Sequence, residues 1–244
     1  MATGQLSSQQ QAVLTEMGID VWVSRSATAG RVENFAVSEP VETLAHSDAV
    51  ALKGESPADV LISLNKEILT CTRCDLHQTR TQAVCGIGNL TADILVIGEA
   101  PGADEDRQGE PFVGPAGQLL THMLKAMGLD RDKVFIANIL KCRPPGNRDP
   151  KATEVASCLA FLQRQIKLVQ PRLILVVGRV AAHNLLNVDA PLGELRGRVH
   201  HYGEQQIPVV VTYHPAYLLR SPAHKRESWA DLLLVQDQLS LSAG

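Results

Sequence analysis

The stretch DILVIGEAPG, residues 93–102, joins a short aliphatic run to a turn rich in glycine and proline. A short run that is almost continuously apolar is typical of a strand covered on both faces of a parallel sheet. Three further runs of the same kind follow along the chain: VFIANIL (134–140), RLILVVG (172–178) and IPVVVTYH (207–214). The four runs therefore predict the strands of one buried sheet.

Helical patterns separate these runs, with apolar residues recurring every three or four positions. The predicted helices cover residues 57–69, 115–127, 150–169 with Asp149 as the cap, 179–186 and about 225–240. Strands that alternate with helices predict a three-layer α/β/α domain around a central, mainly parallel four-stranded sheet. Residues 194–203 are either a short extra strand or the arm of a hairpin.

The N-terminal part has a different composition. Residues 1–55 are rich in Ser, Thr, Ala and Gln and have little periodicity. We therefore predict a largely disordered extension, in which a short interaction helix near residues 10–24 is the one candidate element. Ser56 followed by Pro57 is a favourable helix start, so the folded domain is predicted to span residues 56–244.

Charge and composition narrow the class of protein. The 244-residue chain has a net charge of −3, so any binding to nucleic acid must use a local basic patch. The chain has no run of about 18 apolar residues that would span a membrane, and its N-terminus lacks the pattern of a secretory signal. We therefore expect a cytoplasmic protein, in which disulfides are uncommon, and we expect it to be a monomer.

Residues with versatile chemistry follow the predicted strands. Glu99 and Ala100 come after the first strand, Asn138 lies near the end of the second, and His214 ends the fourth. Because the carboxyl ends of parallel strands meet at the edge where ligands bind, these residues together indicate a pocket. A strand-end Asn alone is usually a turn residue, and a lone His is usually a core group. Phe112, in a nearby glycine-rich loop, is either a plug into the core or a platform on which a flat ring stacks.

The glycines after the first strand do not match the common phosphate-binding turns. They are spaced G-x-x-x-G with Pro101 between them, and the next helix is predicted to begin only near residue 115. The dinucleotide fingerprint needs G-x-G-x-x-G running into a helix, and the P-loop needs Gly-Lys-Ser/Thr. A cofactor phosphate is therefore disfavoured.

Basic residues form three local groups in spite of the overall acidity. The groups are Lys141, Arg143, Arg148 and Lys151; Arg220, His224, Lys225 and Arg226; and Arg196, Arg198, His200 and His201. Such groups are either solvated surface or a rim that follows nucleic-acid phosphates. Two groups come directly after predicted pocket residues, which favours a DNA-binding rim that includes Lys141, Arg143 and Arg220.

Four of the five cysteines have a spacing that suits a metal centre. Cys71 and Cys74 form a C-x-x-C turn, Cys142 lies in a proline-rich loop, and Cys158 falls about two turns into the next helix. They are either scattered buried thiols or ligands of one centre. Four cysteines hold zinc as well as iron–sulfur clusters, and spacing alone does not distinguish the two.

Three longer motifs, taken together, resemble those of family 4 uracil-DNA glycosylases. They are GEAPGADEDRQGEPFVGPAGQLL (98–120), NILKCRPPGNRDP (138–150) and HPAYLLR (214–220), within the spacing C-x2-C-x67-C-x15-C. The resemblance covers about residues 65–240. It implies a uracil-DNA glycosylase-like fold, uracil-containing DNA as the substrate and a [4Fe–4S] cluster. The implied cluster ligands are Cys71, Cys74, Cys142 and Cys158, whereas Cys85 lies outside the ligand pattern.

The resemblance also implies a role for each residue of the predicted pocket. The enzyme would be a monofunctional glycosylase that flips uracil out of DNA and hydrolyses its N-glycosidic bond. Glu99 and the backbone of Ala100 would position the water, and Phe112 would stack on the base. Asn138 would read the polar edge of uracil, and His214 would donate to a uracil oxygen. The alternative is a catalytically weak uracil-DNA-binding protein with a structural cluster.

The same motifs imply two further features. Glu105 matches a family acid that supplies charge near the sugar, although an acid in a loop is more often only solvated. The segment that contains Leu218, Leu219 and Arg220 would be the wedge that fills the space left by the flipped base. We therefore rank Glu105 below Glu99 as a catalytic residue.

One N-terminal segment, LTEMGIDVWVSR at residues 14–25, has apolar residues at regular spacing. It is either a stray first helix or an interaction peptide, since it is similar to the N-terminal peptide of the replicative clamp-loader psi subunit. Trp22 would be its anchor, because Trp often dominates peptide interfaces. The similarity implies a contact with the clamp loader.

Overall fold

The computed structural model describes residues 56–241. The predictions for residues 1–55, including the helix near residues 10–24 and the clamp-loader contact through residues 14–25, lie outside the described residues. Within residues 56–241, no helix combines the length and the apolarity that are needed to cross a bilayer.

A six-stranded sheet forms the centre of the described chain, with the strand order β1-β3-β2-β4-β6-β5. The strands are β1 (Ile87–Gly88), β2 (Ile94–Gly98), β3 (Phe135–Asn138), β4 (Leu173–Val177), β5 (Val199–Tyr202) and β6 (Ile207–Thr212). β2, β3, β4 and β6 pair in parallel, which confirms the four predicted strands. β1 and β5 add antiparallel edges, so the predicted four-stranded sheet is corrected to a mixed six-stranded one.

Helices cover both faces of this sheet. They are α1 (Pro57–Leu69), α2 (Ala103–Gln108), α3 (Pro115–Ala126), α4 (Ala152–Val169), α5 (Arg179–Leu186), α6 (Leu192–Leu195), α7 (Pro215–Arg220) and α8 (Lys225–Leu241). Leu95 and Ile97 of β2 share a core with buried residues of α1 and α4, whereas Ile94 and Val96 share the opposite core with α3 and α8. Both faces are thus buried, which explains the continuous apolar runs and confirms the three-layer α/β/α fold.

The start of α4 differs from the prediction. The helix begins at Ala152, not at Pro150. The reason is that the Glu154 carboxylate accepts the Lys151 N–H at 2.8 Å and caps the helix at that point. Asp149 is therefore not the cap, and its side chain is available to the site described below.

Candidate functional site

A cavity of about 400 Å³ opens beside the carboxyl ends of β2, β3 and β6. It brings together the six residues that were predicted to be catalytic or to bind the base: Glu99, Ala100, Glu105, Phe112, Asn138 and His214. The loop after β3 and helix α7 contribute Pro144, Asn147, Arg148, Asp149, Tyr217 and Arg220 to the lining. The convergence follows from the topology, because parallel strands end at the same edge of a sheet.

Asn138 is the last residue of β3 and lies at the bottom of the cavity wall. Its side chain is 3% exposed, and among residues 56–241 its Oδ1 atom has no hydrogen-bond partner. Buried polar atoms are nearly always paired, so an unpaired acceptor in a cavity wall indicates a ligand that brings a donor. Gly98 of β2 pairs with Asn138 in the sheet. Because Gly98 has no side chain, the Asn138 amide can occupy the space beside it.

Gly98→Ala is expected to destabilise the fold and to displace the amide of Asn138. A Cβ at this position would lie 2.4 Å from Asn138 Oδ1 and 2.6 Å from Phe112 Cζ. Overpacking of a well-filled core costs about 1–3 kcal/mol, so the urea midpoint should fall. Gly193→Ala is the matched control, since a Cβ at Gly193 meets no atom of the described residues within 4 Å. Equal midpoints for the two variants would contradict the close approach described here.

Phe112 is held in an unusual backbone conformation. Its φ is 54°, a left-handed value that a non-glycine residue adopts only at an energetic cost. The ring is 7% exposed, and its centroid lies 5.7 Å from that of His214. A Cβ at Gly117 would lie 1.7 Å from the carbonyl oxygen of Phe112, so glycine at that position makes the turn possible. The ring is therefore a fixed part of the cavity wall.

Glu105 holds the loop that carries this ring. It lies in α2, where the sequence analysis expected a loop. Its Oε1 atom accepts the N–H groups of Val113 at 2.9 Å and Gly114 at 3.0 Å. Its Oε2 atom accepts the N–H of Gly102 at 3.1 Å. A carboxylate that takes up three backbone N–H groups positions the loop, so Glu105 is not a solvated loop acid.

His214 precedes α7 and lines the cavity as a neutral imidazole. Its Nδ1 atom accepts the N–H of Ala216 at 3.1 Å and caps the helix. Burial lowers the pKa of His214 to about 4, and the charge of Arg220 acts in the same direction, while that of Glu105 opposes it. Because Nδ1 is the acceptor, the neutral ring carries its proton on Nε2. The residue therefore offers a hydrogen-bond donor without a positive charge.

Glu99 follows β2 and changes its protonation state near neutral pH. Burial raises the pKa of Glu99 to about 7, and the charge of Asp149 raises it further, while Arg179 lowers it. Asp149 and Arg179 form an ion pair of 3.2 Å. The sequence analysis did not assign Asp149 to the pocket, because it interpreted this residue as a helix cap. A carboxyl group with a shifted pKa in a cleft is typical of a functional site.

The predicted DNA-binding residues differ in their exposure and in their contacts. Arg220 is exposed and lines the cavity, and Leu219 is 45% exposed. Arg143 is half-buried, with its Nε atom donating to Asn147 Oδ1 at 2.7 Å. Arg148, which was grouped with it, makes bidentate contacts with Glu154 at 2.9 and 2.6 Å.

Two residues of the predicted DNA-binding set need correction. Lys141 is 1% exposed, so its ammonium group cannot contact DNA phosphates. Its Nζ atom donates to the Asn138 carbonyl and to Gln165 Oε1 instead. Leu218 is fully buried in the core on the α3 and α8 side, which leaves Leu219 as the exposed apolar residue of the predicted wedge.

The four predicted ligand cysteines line one small cavity: Cys71, Cys74, Cys142 and Cys158. Arg80 Nη1 lies 2.9 Å from Cys142 Sγ, and the N–H of Lys141 lies 3.2 Å from Cys158 Sγ. N–H donors beside sulfur suit thiolates. Burial raises the pKa of Cys158 to about 11; neighbouring Cys142 and Cys74 add to the rise, and Lys141 opposes it. Among residues 56–241, no three His, Cys, Asp or Glu side chains converge on a single ion position.

The comparison with known proteins agrees with this site. The family described as the uracil DNA glycosylase superfamily matches residues 85–233, which contain the residues that line the cavity. A type-4 uracil-DNA glycosylase of Archaeoglobus fulgidus is 45% identical over 172 residues, 68% of this chain and 86% of the relative. Proteins of the same name from Sulfurisphaera tokodaii (45% over 174 residues; 67% and 78%) and Pyrobaculum aerophilum (42% over 180 residues; 71% and 92%) are also similar.

Proposed function

The chain belongs to the uracil DNA glycosylase superfamily, and we propose that it is a monofunctional uracil-DNA glycosylase of base-excision repair. The enzyme flips uracil out of DNA and hydrolyses the bond between the base and the sugar. The observation that carries the proposal is the Asn138 Oδ1 acceptor, which has no partner within the described part of the chain and shares a cavity with the Nε2–H donor of His214. A flat base with two carbonyl oxygens and one N–H donor matches this pair of groups.

Recognition of uracil follows from the chemistry of an amide. A base in a duplex must leave the stack before a pocket can reach it. Asn138 Oδ1 accepts the N3–H of uracil, and Asn138 Nδ2 donates to O4. Cytosine has no hydrogen on N3 and carries an amine at C4, so both contacts would be mismatched. Phe112 supplies the stacking surface beside the amide, since its buried ring is part of the cavity wall.

Cleavage separates charge, and the cavity has a group for each charge. The bond between N1 of uracil and C1′ of the sugar breaks with both electrons going to the base, which leaves a uracil anion and an oxocarbenium-like sugar. His214 donates from Nε2 to uracil O2 as negative charge develops there. Glu99 as a carboxylate stabilises the cation, orients the water whose oxygen bonds to C1′ and accepts the proton that this water loses. The uracil anion takes up one proton from solvent and leaves as neutral uracil. Glu105 keeps Phe112 in position through its backbone contacts.

Contacts with DNA come from α7 and from the loop after β3. Leu219 is the exposed apolar side chain next to the cavity, and we propose that it fills the gap left by the flipped base. We propose that Arg220 and Arg143 neutralise phosphates. These contacts would make binding strongly dependent on salt even though the net charge is −3.

We infer that the cysteine cavity holds a [4Fe–4S] cluster with Cys71, Cys74, Cys142 and Cys158 as ligands. The donor set and the N–H groups beside two of the sulfurs support this assignment. Each cysteine of such a cluster binds a different iron, so the four sulfurs need not converge on one ion. When bound, the cluster links the segment before β1, the loop after β3 and helix α4.

Protein purified without oxygen is expected to be brown and to contain about four irons and four labile sulfides per chain. Cys158→Ser should lose most of the iron. Cys85→Ala is the matched control and should keep it, because Cys85 Sγ contacts the Asn65 carbonyl and does not line the cysteine cavity. Metal analysis and visible absorbance measure the result. A colourless, active, zinc-loaded protein would contradict the assignment.

The rate of uracil release is expected to rise with pH around neutrality. The raised pKa of Glu99, about 7, leaves a neutral carboxyl group below that pH and a carboxylate above it. Only the carboxylate stabilises a cation, so Glu99→Gln should lower the plateau rate by about 10–100-fold and flatten the profile. The exposed Glu194 provides the control, Glu194→Gln. A Glu99→Gln profile that still rises near pH 7 would contradict the role.

Release of free uracil from a uracil-containing oligonucleotide tests the proposed function. The expected products are uracil and an intact strand with an abasic site, which breaks only after alkali treatment. Strand cleavage without alkali would contradict the monofunctional reaction. Binding of the oligonucleotide without release would instead support a uracil-DNA-binding protein with a structural cluster.

The N-terminal segment carries a separate proposal. Residues 14–25 would tether the enzyme to the clamp loader, with Trp22 as the anchor. A peptide of residues 1–30 should retain a clamp-loader component in a pull-down, whereas a peptide with Trp22→Ala should not. Equal recovery with the two peptides would contradict the tether.

A further inference from the structure

Lys141 is a buried cation beside the base-reading end of β3. Its Nζ atom donates to the Asn138 carbonyl at 2.8 Å and to Gln165 Oε1 at 2.6 Å. Gln165 is also fully buried, and its Nε2 atom donates to the Cys85 carbonyl. Burying an ammonium group is costly unless partners satisfy it. In some proteins such groups are retained because they select one conformation.

The bridge formed by Lys141 and Gln165 begins where the strand ladder stops. β1 pairs with β3 only as far as Ile136. Beyond that point, the carbonyls of Cys85 and Asn138 each accept a hydrogen bond from the bridge. A carbonyl cannot donate a hydrogen bond to another carbonyl. The Lys141 ammonium and the Gln165 amide therefore supply the donors that a paired strand supplies elsewhere in the sheet. The backbone at the end of β3 therefore depends on side chains.

We propose that Lys141 is a positioning residue for uracil recognition, which holds the backbone of Asn138 so that its amide reaches the base. The inference rests on the proposed function. Asn138 Oδ1 has no partner among residues 56–241, so the amide is oriented by its backbone and by packing against Gly98 and Phe112. The N–H of Lys141 also lies beside Cys158 Sγ, which connects the base-reading residue with the cysteine cavity.

A double-mutant cycle distinguishes this role from a general contribution to the fold. Lys141→Met keeps the apolar stem and removes the donors. It is expected to lower the single-turnover rate of uracil release by about 10–100-fold in the otherwise unchanged protein. In the Asn138→Ala background the same change should cost less than about 3-fold. The loss disappears there because the amide that Lys141 positions is already absent.

Gln165→Leu is the second variant, and it tests the positioning of Asn138 if Lys141→Met does not fold. It breaks the same bridge and should lower the rate by about 3–10-fold, again only when Asn138 is present. Circular dichroism and iron content are measured for each variant. Equal losses in both Asn138 backgrounds would overturn the inference and leave the proposed function intact. If the protein without substitutions releases no uracil, both the inference about Lys141 and the proposed function are overturned.

Discussion

Asn138→Ala is expected to lower the single-turnover rate of uracil release by about 10³-fold. The Asn138 Oδ1 atom is a buried acceptor without a partner among residues 56–241, and in the proposed reaction it accepts the N3–H of uracil. In the variant, N3–H and O4 of uracil enter the cavity without partners. Each unpaired buried group costs about 1–3 kcal/mol, and two such costs correspond to a factor between about 30 and about 2 × 10⁴.

The measurement uses enzyme in excess over a uracil-containing single strand, so that product release does not limit the rate. Asn184→Ala is the matched control, because the Asn184 amide donates to the Val180 carbonyl within α5 and does not line the cavity. It should change the rate by less than about 2-fold. A loss of less than about 10-fold in folded Asn138→Ala would show that the amide does not read the base.

His214→Ala is expected to lower the rate by about 10²–10³-fold, as removal of one donor to a developing anion does in other enzymes. The donor is Nε2–H, because Nδ1 already accepts the N–H of Ala216. Water that enters the space left by the ring is a poorer donor, since it is not held in position. The exposed His201 provides the control, His201→Ala.

The pH dependence tests the charge state of His214. Its pKa is lowered from 6.5 to about 4, so the ring is neutral at neutral pH and the rate should not fall as the pH rises through 6.5. The unfolded chain takes up this proton more readily than the folded one. Stability should therefore decrease as the pH falls from 6.5 towards 4, and His214→Ala should weaken this dependence. A His214-dependent loss of activity with a midpoint near 6.5 would show that the imidazolium is the active form.

The pocket residues were predictable because they stand at fixed places along the strands. Glu99 follows an apolar run, Asn138 lies near the end of one and His214 ends one. The shared direction of parallel strands brings those ends together. The structure places all three in one cavity. The sequence allowed two interpretations of Phe112: a plug into the core and a platform on which a flat ring stacks. Its burial and its position in the cavity wall follow from Glu105 and Gly117, whose contacts with the loop have no sequence pattern.

Lys141 and Leu218 show why residue type alone did not place every side chain. A lysine in a basic run is usually exposed, but Lys141 finds its acceptors in Asn138 and in Gln165, which lies 24 residues further along. Leu218 and Leu219 are adjacent and chemically identical. The turn of α7 buries the first and exposes the second, and that difference depends on which face of the helix meets the core.

The sequence by itself determined the four parallel strands, the layers around them and the spacing of the cysteines, because burial patterns and metal-ligand spacing are local properties of the chain. Only the tertiary structure decided the edge strands, the backbone contacts of Glu105, the burial of Lys141 and the shifted pKa values of Glu99 and His214. A pKa depends on burial and on charges from distant segments, such as Asp149 near Glu99. Those distances exist only once the chain has folded.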